Sequence, residues 1–324
     1  MLQEGVHDGV LEADYHADPC PEPSLSASIM GKLLDDSPRH AWTHHPRLNP
    51  EWATSTTTQE ADIGTACHKI LFGFWNDVVA VDAPDWRKKE AQEQRSSARS
   101  EGKVALLRHQ YAVALAMADE LRYDLLNHDE ASDAFTDGRP EQVMIWREDN
   151  GIWCRARIDW LPNQRGGWID DYKTTGGSAR AEVWSRKLYD FGGELQAAFY
   201  ARGYKRLFGV APAGFRFVVQ EQDPPCASSV IVMDDSGWSF ANERVEEGIH
   251  LWGECLRRGT ARLAWPAYPR RIAYVSPPAW VEYRWADKKV NNEALLYRAD
   301  DHPQGRIAPP EVLLLAGFGS KEDR

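Results

Sequence analysis

With 324 residues, 43% of them hydrophobic and 14 of them tryptophan, the chain carries enough large apolar groups to bury a substantial core, which excludes an intrinsically disordered protein. The formal net charge of −11 argues against a nucleic-acid coat protein, which draws its affinity from overall basicity. It leaves room for an enzyme that needs only a local basic track beside an acidic, metal-holding centre.

No apolar run approaches the roughly 18 to 20 residues that cross a bilayer, and the acidic start (Glu4, Asp8, Glu12, Asp14) is unlike a signal peptide. Cys20, Cys67, Cys154, Cys226 and Cys255 stand singly, with no CxxC pair. The expectation is a soluble cytoplasmic protein with reduced thiols and no membrane partner.

Residues 1–22 are acidic, run into Pro21 and Pro23 and carry no sustained period, so they read as a flexible N-terminal arm. Ser24 or Ser26 can cap a short helix through Leu34, ended by Ser37-Pro38. Thr54 to Gln59 reads as a polar loop. From Ile63 to Trp75 the apolar spacing predicts a buried helix carrying His68 on a core-facing segment. The charged stretch with Arg87, Lys88, Lys89, Arg95, Arg99 and Lys103 precedes a longer helix predicted from Val104 to Leu126.

The period then changes. Glu141 to Arg147, Ile152 to Leu161 and Gly167 to Thr174 are rich in β-branched and aromatic residues and separated by turn signals, which predicts consecutive antiparallel strands. Helices over Ala179 to Leu188 and Glu194 to Leu207, strands over Gly214 to Gln220 and Ser229 to Met233, and a helix over Ser236 to Arg258 follow. This order implies an α/β sandwich with a mixed sheet over residues 23–265 and a partly irregular extension over 266–324.

Asp171 and Lys173, two apart on a strand, share one face, and the hairpin partner can bring Asp159 beside them. Alone, Asp-x-Lys reads as a cross-strand surface ion pair worth about 0–1 kcal/mol. Two carboxylates inside an apolar hairpin are another matter, because buried carboxylates need a partner or a metal. Phosphodiester hydrolysis uses such a set: oxygen ligands hold Mg²⁺ or Mn²⁺, the Tyr172 carbonyl points toward the metal between its neighbours, and the lysine orients or helps deprotonate the water. Asp170 should face the opposite side. Arg155 and Arg157 share the Asp159 face and are candidates for the scissile phosphate. Arg87, Lys88 and Lys89 are candidates for tracking DNA, although interleaved acids make a solvated face the simpler reading. Glu141 is an outer-shell acid or, more simply, a solvated edge residue. Arg270, Arg271, Trp280 and Trp285 could stack on DNA or simply pack.

The chain resembles the PD-(D/E)xK nuclease superfamily and, within it, the RecE-like (exodeoxyribonuclease VIII type) and RecB-like exonucleases of phages and prophages. Four segments carry the resemblance: Leu25-Ser-Ala-Ser-Ile-Met, Ile63-Gly-Thr-Ala-Cys-His68, the Asp159 to Lys173 hairpin with Thr174-Thr175, and Gln196-Ala-Ala-Phe-Tyr200. Ile158 stands where the motif has proline. The resemblance implies a restriction-endonuclease-like sandwich, a catalytic set of Asp159, Asp171, Lys173, Gln196 and Tyr200, and metal held by His68, Asp159, Asp171 and the Tyr172 carbonyl. It further implies a Mg²⁺- or Mn²⁺-dependent exonuclease that resects linear double-stranded DNA for recombination, works as a homo-oligomeric ring and meets a single-strand annealing protein in a bacterial host. The alternatives are a catalytically inactive DNA-binding or assembly module of the same fold, and a structure-specific endonuclease. The cysteine spacing does not supply an iron–sulfur site, and the missing phosphate loop argues against hydrolysis of a small phosphate ester.

Overall fold

Short pieces open the chain in this computed structural model, which describes residues 1–52 and 59–301, with side chains over 1–52 and 62–295. They are β1 (Gly5–His7), α1 (Glu12–His16) and α2 (Ala27–Gly31). Ser26 caps α2 by accepting from the Ile29 amide at 3.4 Å, and a π-helical turn over Lys32–Asp36 continues it. Ser37 caps α3 (Pro38–His44), whose first position Pro38 fills without losing a hydrogen bond. Then come α4 (Gln59–Leu71), β2 (Val78–Val81), α5 (Lys89–Ser100), β3 (Val104–Leu107) and α6 (Arg108–Leu126). Of the expected polar loop, Thr54 to Thr58 lie outside the described residues.

The hairpin region forms β4 (Gly138–Arg147), β5 (Trp153–Pro162) and β6 (Trp168–Thr175). After α7 (Ala181–Asp190) and α8 (Gly193–Phe208) come β7 (Gly214–Glu221), β8 (Ser228–Ile231) and α9 (Asp235–Arg258). The main sheet runs β1-β4-β5-β6-β7-β8, antiparallel except for the parallel β6–β7 pair. The α7–α8 crossover is what makes that pair parallel. Alternation along β7 sends Phe217 and Val219 into the core beneath α2, α7, α8 and α9, and Val218 into the core beneath α4 and α6. The sheet is therefore covered on both faces, the α/β sandwich that the element order predicts.

A second compact unit, Pro269–Arg324, carries α10 (Ala279–Asp301). Within the tail expected to be partly irregular, Ala279–Asp301 are helical. Its described side chains are exposed except for the half-buried Val281, Trp280 and Trp285 being among the exposed ones, and Arg284 lies 4.9 Å over the Trp280 ring.

Val104 to Leu107, expected to open a helix, form a strand paired in parallel with β2. Their aliphatic run suits either state, and pairing decides it. The charged stretch before them is α5, anchored by Arg95 and Arg99 on Asp62 at 2.7 and 3.0 Å.

The N-terminal segment is not a flexible arm. β1 adds to the edge of the sheet against β4, and Tyr15 and Cys20 are buried against Val143, Ile145 and Trp153. Asp18, at φ +64°, ties the segment down. It accepts from the Ser24 hydroxyl at 2.6 Å and amide at 2.9 Å, and faces His45 and Arg155 at 3.4 and 3.3 Å. Arg155 in turn donates to the Ser24 carbonyl at 2.8 Å, and Leu25 bridges Cys154 as a short extra strand. Too few apolar residues are spread through this segment to give a period, so only tertiary contacts fix it.

Burial raises the Asp18 carboxyl, but His45, Arg155 and Ser24 together carry it down to about 2. Asp18→Asn leaves a buried guanidinium beside a neutral amide, and should lower the urea unfolding free energy at pH 7 by about 3 kcal/mol. Because the folded carboxyl titrates below its unfolded value, its contribution is complete above pH ~4 and lost as the pH falls through about 2. The gap between wild type and variant should close over that range; a constant gap would rule out the charge as its origin.

Candidate active site

A defect in the sheet makes the site. β5 and β6 share the ladder pair Trp160↔Asp170 and part beyond it. There the Tyr172 amide, without a strand partner, donates to Asp159 Oδ2 at 2.9 Å. On the other side of β5 the ladder runs through Pro140↔Trp160 and Gln142↔Ile158 but omits Glu141↔Asp159. Glu141 sits at φ +56°, a left-handed backbone that side chains other than glycine rarely adopt within a strand. The side chains of Glu141 and Asp159 are both delivered to His68, which comes from α4 on the face above.

His68 lies between them, with Nδ1 3.0 Å from Glu141 and Nε2 3.3 Å from Asp159. Asp171 and Lys173 share a face of β6 and are ion-paired, with the Asp171 side chain 1% exposed. Gln196, on α8, donates to Asp171 Oδ1 at 2.5 Å. Tyr200, one turn further, is buried and borders the same cavity. The Tyr172 side chain points the other way, its hydroxyl 2.6 Å from Gln220 and 3.1 Å from Cys67, so only its backbone can serve the site. Asp170 also faces away, paired with Arg216 at 2.5 Å.

The electrostatics separate the two carboxylates. Burial raises Asp171, to about 6, against the pull of Lys173 and with a further push from Asp159. For Asp159 burial is outweighed, chiefly by His68, and the carboxyl falls to about 2. Burial opposes the charge on His68 and on Lys173, but neighbouring carboxylates overcome it and raise both.

A cavity of about 460 Å³ opens onto this cluster. Arg157 lines it and is held by Glu141, with its Nε 2.5 Å from Oε2. The other cations proposed for DNA do not reach it. Arg155 is 3% exposed and committed to Ser24 and Asp18, so its assignment to DNA is corrected to a structural anchor. Arg87, Lys88 and Lys89 are exposed around the start of α5 and do not line the cavity; Arg87 pairs with Asp85 and Lys89 with Glu93. Arg270, Arg271, Trp280 and Trp285 belong to the second unit.

Sequence reasoning undervalued Glu141 and missed Glu12, Tyr15, His16 and Lys69, all of which line the cavity. Glu12 is drawn down to about 2, first by His16, whose Nε2 lies 3.7 Å from its carboxylate, and then, against burial, by Arg157 and Lys69. The reading of residues 1–22 as loose removed three of these at a stroke, while Lys69 simply follows His68 on α4.

Gly64 explains how α4 comes close enough. A β-carbon there would fall 2.4 Å from Thr174 Oγ1, so the helix rests its backbone on β6 one turn before His68. Gly64→Ala should cost about 1–3 kcal/mol of stability and shift the His68 ring resonances, and Thr174→Ala in the same chain should reverse part of both. Unchanged His68 resonances in Gly64→Ala would mean that this contact does not set the histidine.

The chain matches the model of a family described as "PDDEXK-like domain of unknown function (DUF3799)" over residues 26–276. It matches no curated protein. Among solved structures, a protein from Eubacterium rectale described as a candidate exonuclease aligns at 11% identity over 86% of this chain and 98% of its own, with a TM-score of 0.46, a likeness too low to bear on activity. The family match takes in α4, the parted β5–β6 hairpin and α8 together, and on that ground the chain belongs to the PDDEXK-like family DUF3799, within the PD-(D/E)xK nuclease superfamily.

Proposed function

We propose that the chain is a divalent-metal-dependent deoxyribonuclease, and specifically an exonuclease that resects linear double-stranded DNA for recombination. The observation that carries this reading is the meeting of Asp159, Asp171 and Lys173 at the parted strands, with His68 beside them. The donor set fits Mg²⁺ or Mn²⁺: carboxylate oxygens, an imidazole and a backbone carbonyl, with the buried Asp171 carboxylate facing Lys173 through Oδ2 and Gln196 through Oδ1. Among the described residues no cage of His, Cys, Asp or Glu is preformed, and His68 faces Glu141 and Asp159 through its two ring nitrogens. When bound, the ion supplies positive charge to the phosphate and lowers the pKa of a water.

The chain's own groups divide the remaining tasks. Asp159 and Asp171 hold the ion, with His68 as a further ligand. The carbonyl of Tyr172 assists, since in extended backbone it leaves on the same side as the amide bound to Asp159. Lys173, whose proton is held by two carboxylates, acts as a donor that orients the attacking water. Gln196 fixes Asp171, and Tyr200 walls the substrate groove. Arg157 is the guanidinium nearest the reacting phosphate. Attack from an end, a homo-oligomeric ring around DNA and an annealing partner are supported by the likeness of the four motif segments to RecE-like exonucleases.

The test is incubation with end-labelled linear and covalently closed circular DNA, with Mg²⁺ or EDTA. Loss of linear DNA alone, dependent on Mg²⁺ and reduced about 10²-fold or more by Lys173→Ala, is the expected outcome. Cutting of the closed circle would replace the exonuclease with an endonuclease. DNA retained in a shift assay but uncut with Mg²⁺ or with Mn²⁺ in its place would leave a binding module.

A further inference from the structure

A second cavity, of about 630 Å³, adjoins the catalytic one and shares Tyr15, His16, Gln196 and Tyr200 with it. Its size is that of a small-ligand site. Phe191 lines it, between α7 and α8. Gly192, at φ +76°, turns the chain there, and Gly193 has no room for a side chain: a β-carbon would lie 2.7 Å from Phe191 Cζ and 2.5 Å from Leu188 Cδ1. The Phe191 ring is thus pressed onto the start of α8, and Trp184 meets it edge-on at 5.3 Å. Even so, 47% of the residue stays exposed. An aromatic ring fixed by packing and partly open to a cavity is a stacking platform, and bases gain affinity on such rings whatever their identity.

The remaining lining sets the charge. Asp35, Asp36 and Asp190 border this cavity; Lys32 is paired with Asp36 at 3.0 Å, and Asp35 with Arg244. Asp190 has no ion pair among the described residues, so a net negative charge remains. Ser26 and Ser28, whose hydroxyls lie 3.2 Å apart, add polar groups without charge. An uncharged aromatic group bearing hydroxyls suits these surfaces, and a phosphate dianion does not.

We propose that this cavity is a nucleoside subsite of the catalytic groove: it seats the terminal nucleoside of the strand being cut, base against Phe191, and selects a terminal hydroxyl over a terminal phosphate. The inference rests on the nuclease reading, which supplies the neighbouring scissile phosphate.

Binding tests it without turnover. Short single-stranded oligonucleotides, labelled internally and ending in hydroxyl or phosphate at the 5′ or the 3′ terminus, are titrated in Ca²⁺ and followed by fluorescence anisotropy. At one of the two termini the hydroxyl form should bind about tenfold more tightly at low salt, since a phosphate there meets a carboxylate with no ion pair among the described residues. Phe191→Ala should weaken both forms about tenfold. Phe191→Leu, which keeps the packing on Gly193 but loses the π-face, should behave like alanine. Asp190→Asn should narrow the hydroxyl preference, chiefly by strengthening binding of the phosphate form. Equal or tighter binding of the phosphate form at both termini, or wild-type affinity in Phe191→Leu, overturns the proposal. Lys173-dependent cleavage without end preference removes the subsite alone, whereas absence of both DNA binding and cleavage removes the nuclease reading with it.

Discussion

The hydrogen bond from the Tyr172 amide to the Asp159 carboxylate is the contact on which the rest of the site depends. Where β5 and β6 part, a strand amide loses its ladder partner, and leaving it buried and unpaired costs on the order of 1–3 kcal/mol. Asp159 satisfies it, and in doing so is held beside the Asp171 face of β6. Two buried carboxylates then repel each other, and the fold answers with Lys173 on one and His68 on the other. A buried ion-pair cluster of this kind is a poor source of stability compared with an apolar packing of equal volume. Its presence in an otherwise hydrophobic hairpin is better accounted for by chemistry than by folding.

Several departures from regular structure converge on the same spot. Glu141 takes a left-handed backbone within β4, so its carboxylate reaches His68 Nδ1 and fixes the ring with Nε2 toward Asp159. Gly64 lets α4 approach β6 closely, and Gln196 comes across from α8 on the opposite layer. The N-terminal segment, locked by Asp18, supplies Glu12, Tyr15 and His16 to the cavity. The site is thus assembled from both helical layers and the sheet edge, and loosening any one element would reach it.

Much of this was legible in the sequence, for physical reasons that can be named. The period-2 strand fixes which side chains share a face, so the pairing of Asp171 with Lys173 and the turning away of Asp170 follow from strand geometry, which also allows Asp159 beside them; the motif likeness singled Asp159 out. His68 needed the motif likeness, since a lone histidine in an apolar helix has no signature of its own. Glu141 read more simply as a solvated edge residue than as an outer-shell acid, because the positive φ that turns it toward His68 leaves no trace in composition. Arg155 and Arg157 are two apart on one strand face, yet one is sealed under Ser24 and Asp18 and the other lines the cavity. Periodicity places both on a face but cannot tell which part of that face another segment covers. For the same reason Val104 to Leu107 read as helix: an aliphatic run takes the state its partner offers, and β2 is remote in pattern though near in space.

The central claim is that the paired carboxylates exist to hold a divalent cation, and it can be tested without substrate. Mn²⁺ titrated into the DNA-free chain, with free ion followed by electron paramagnetic resonance, should be taken up by wild type and by Lys173→Ala but not by Asp159→Asn or Asp171→Asn. Equal uptake by wild type and both asparagine variants would place any bound metal elsewhere and contradict the account.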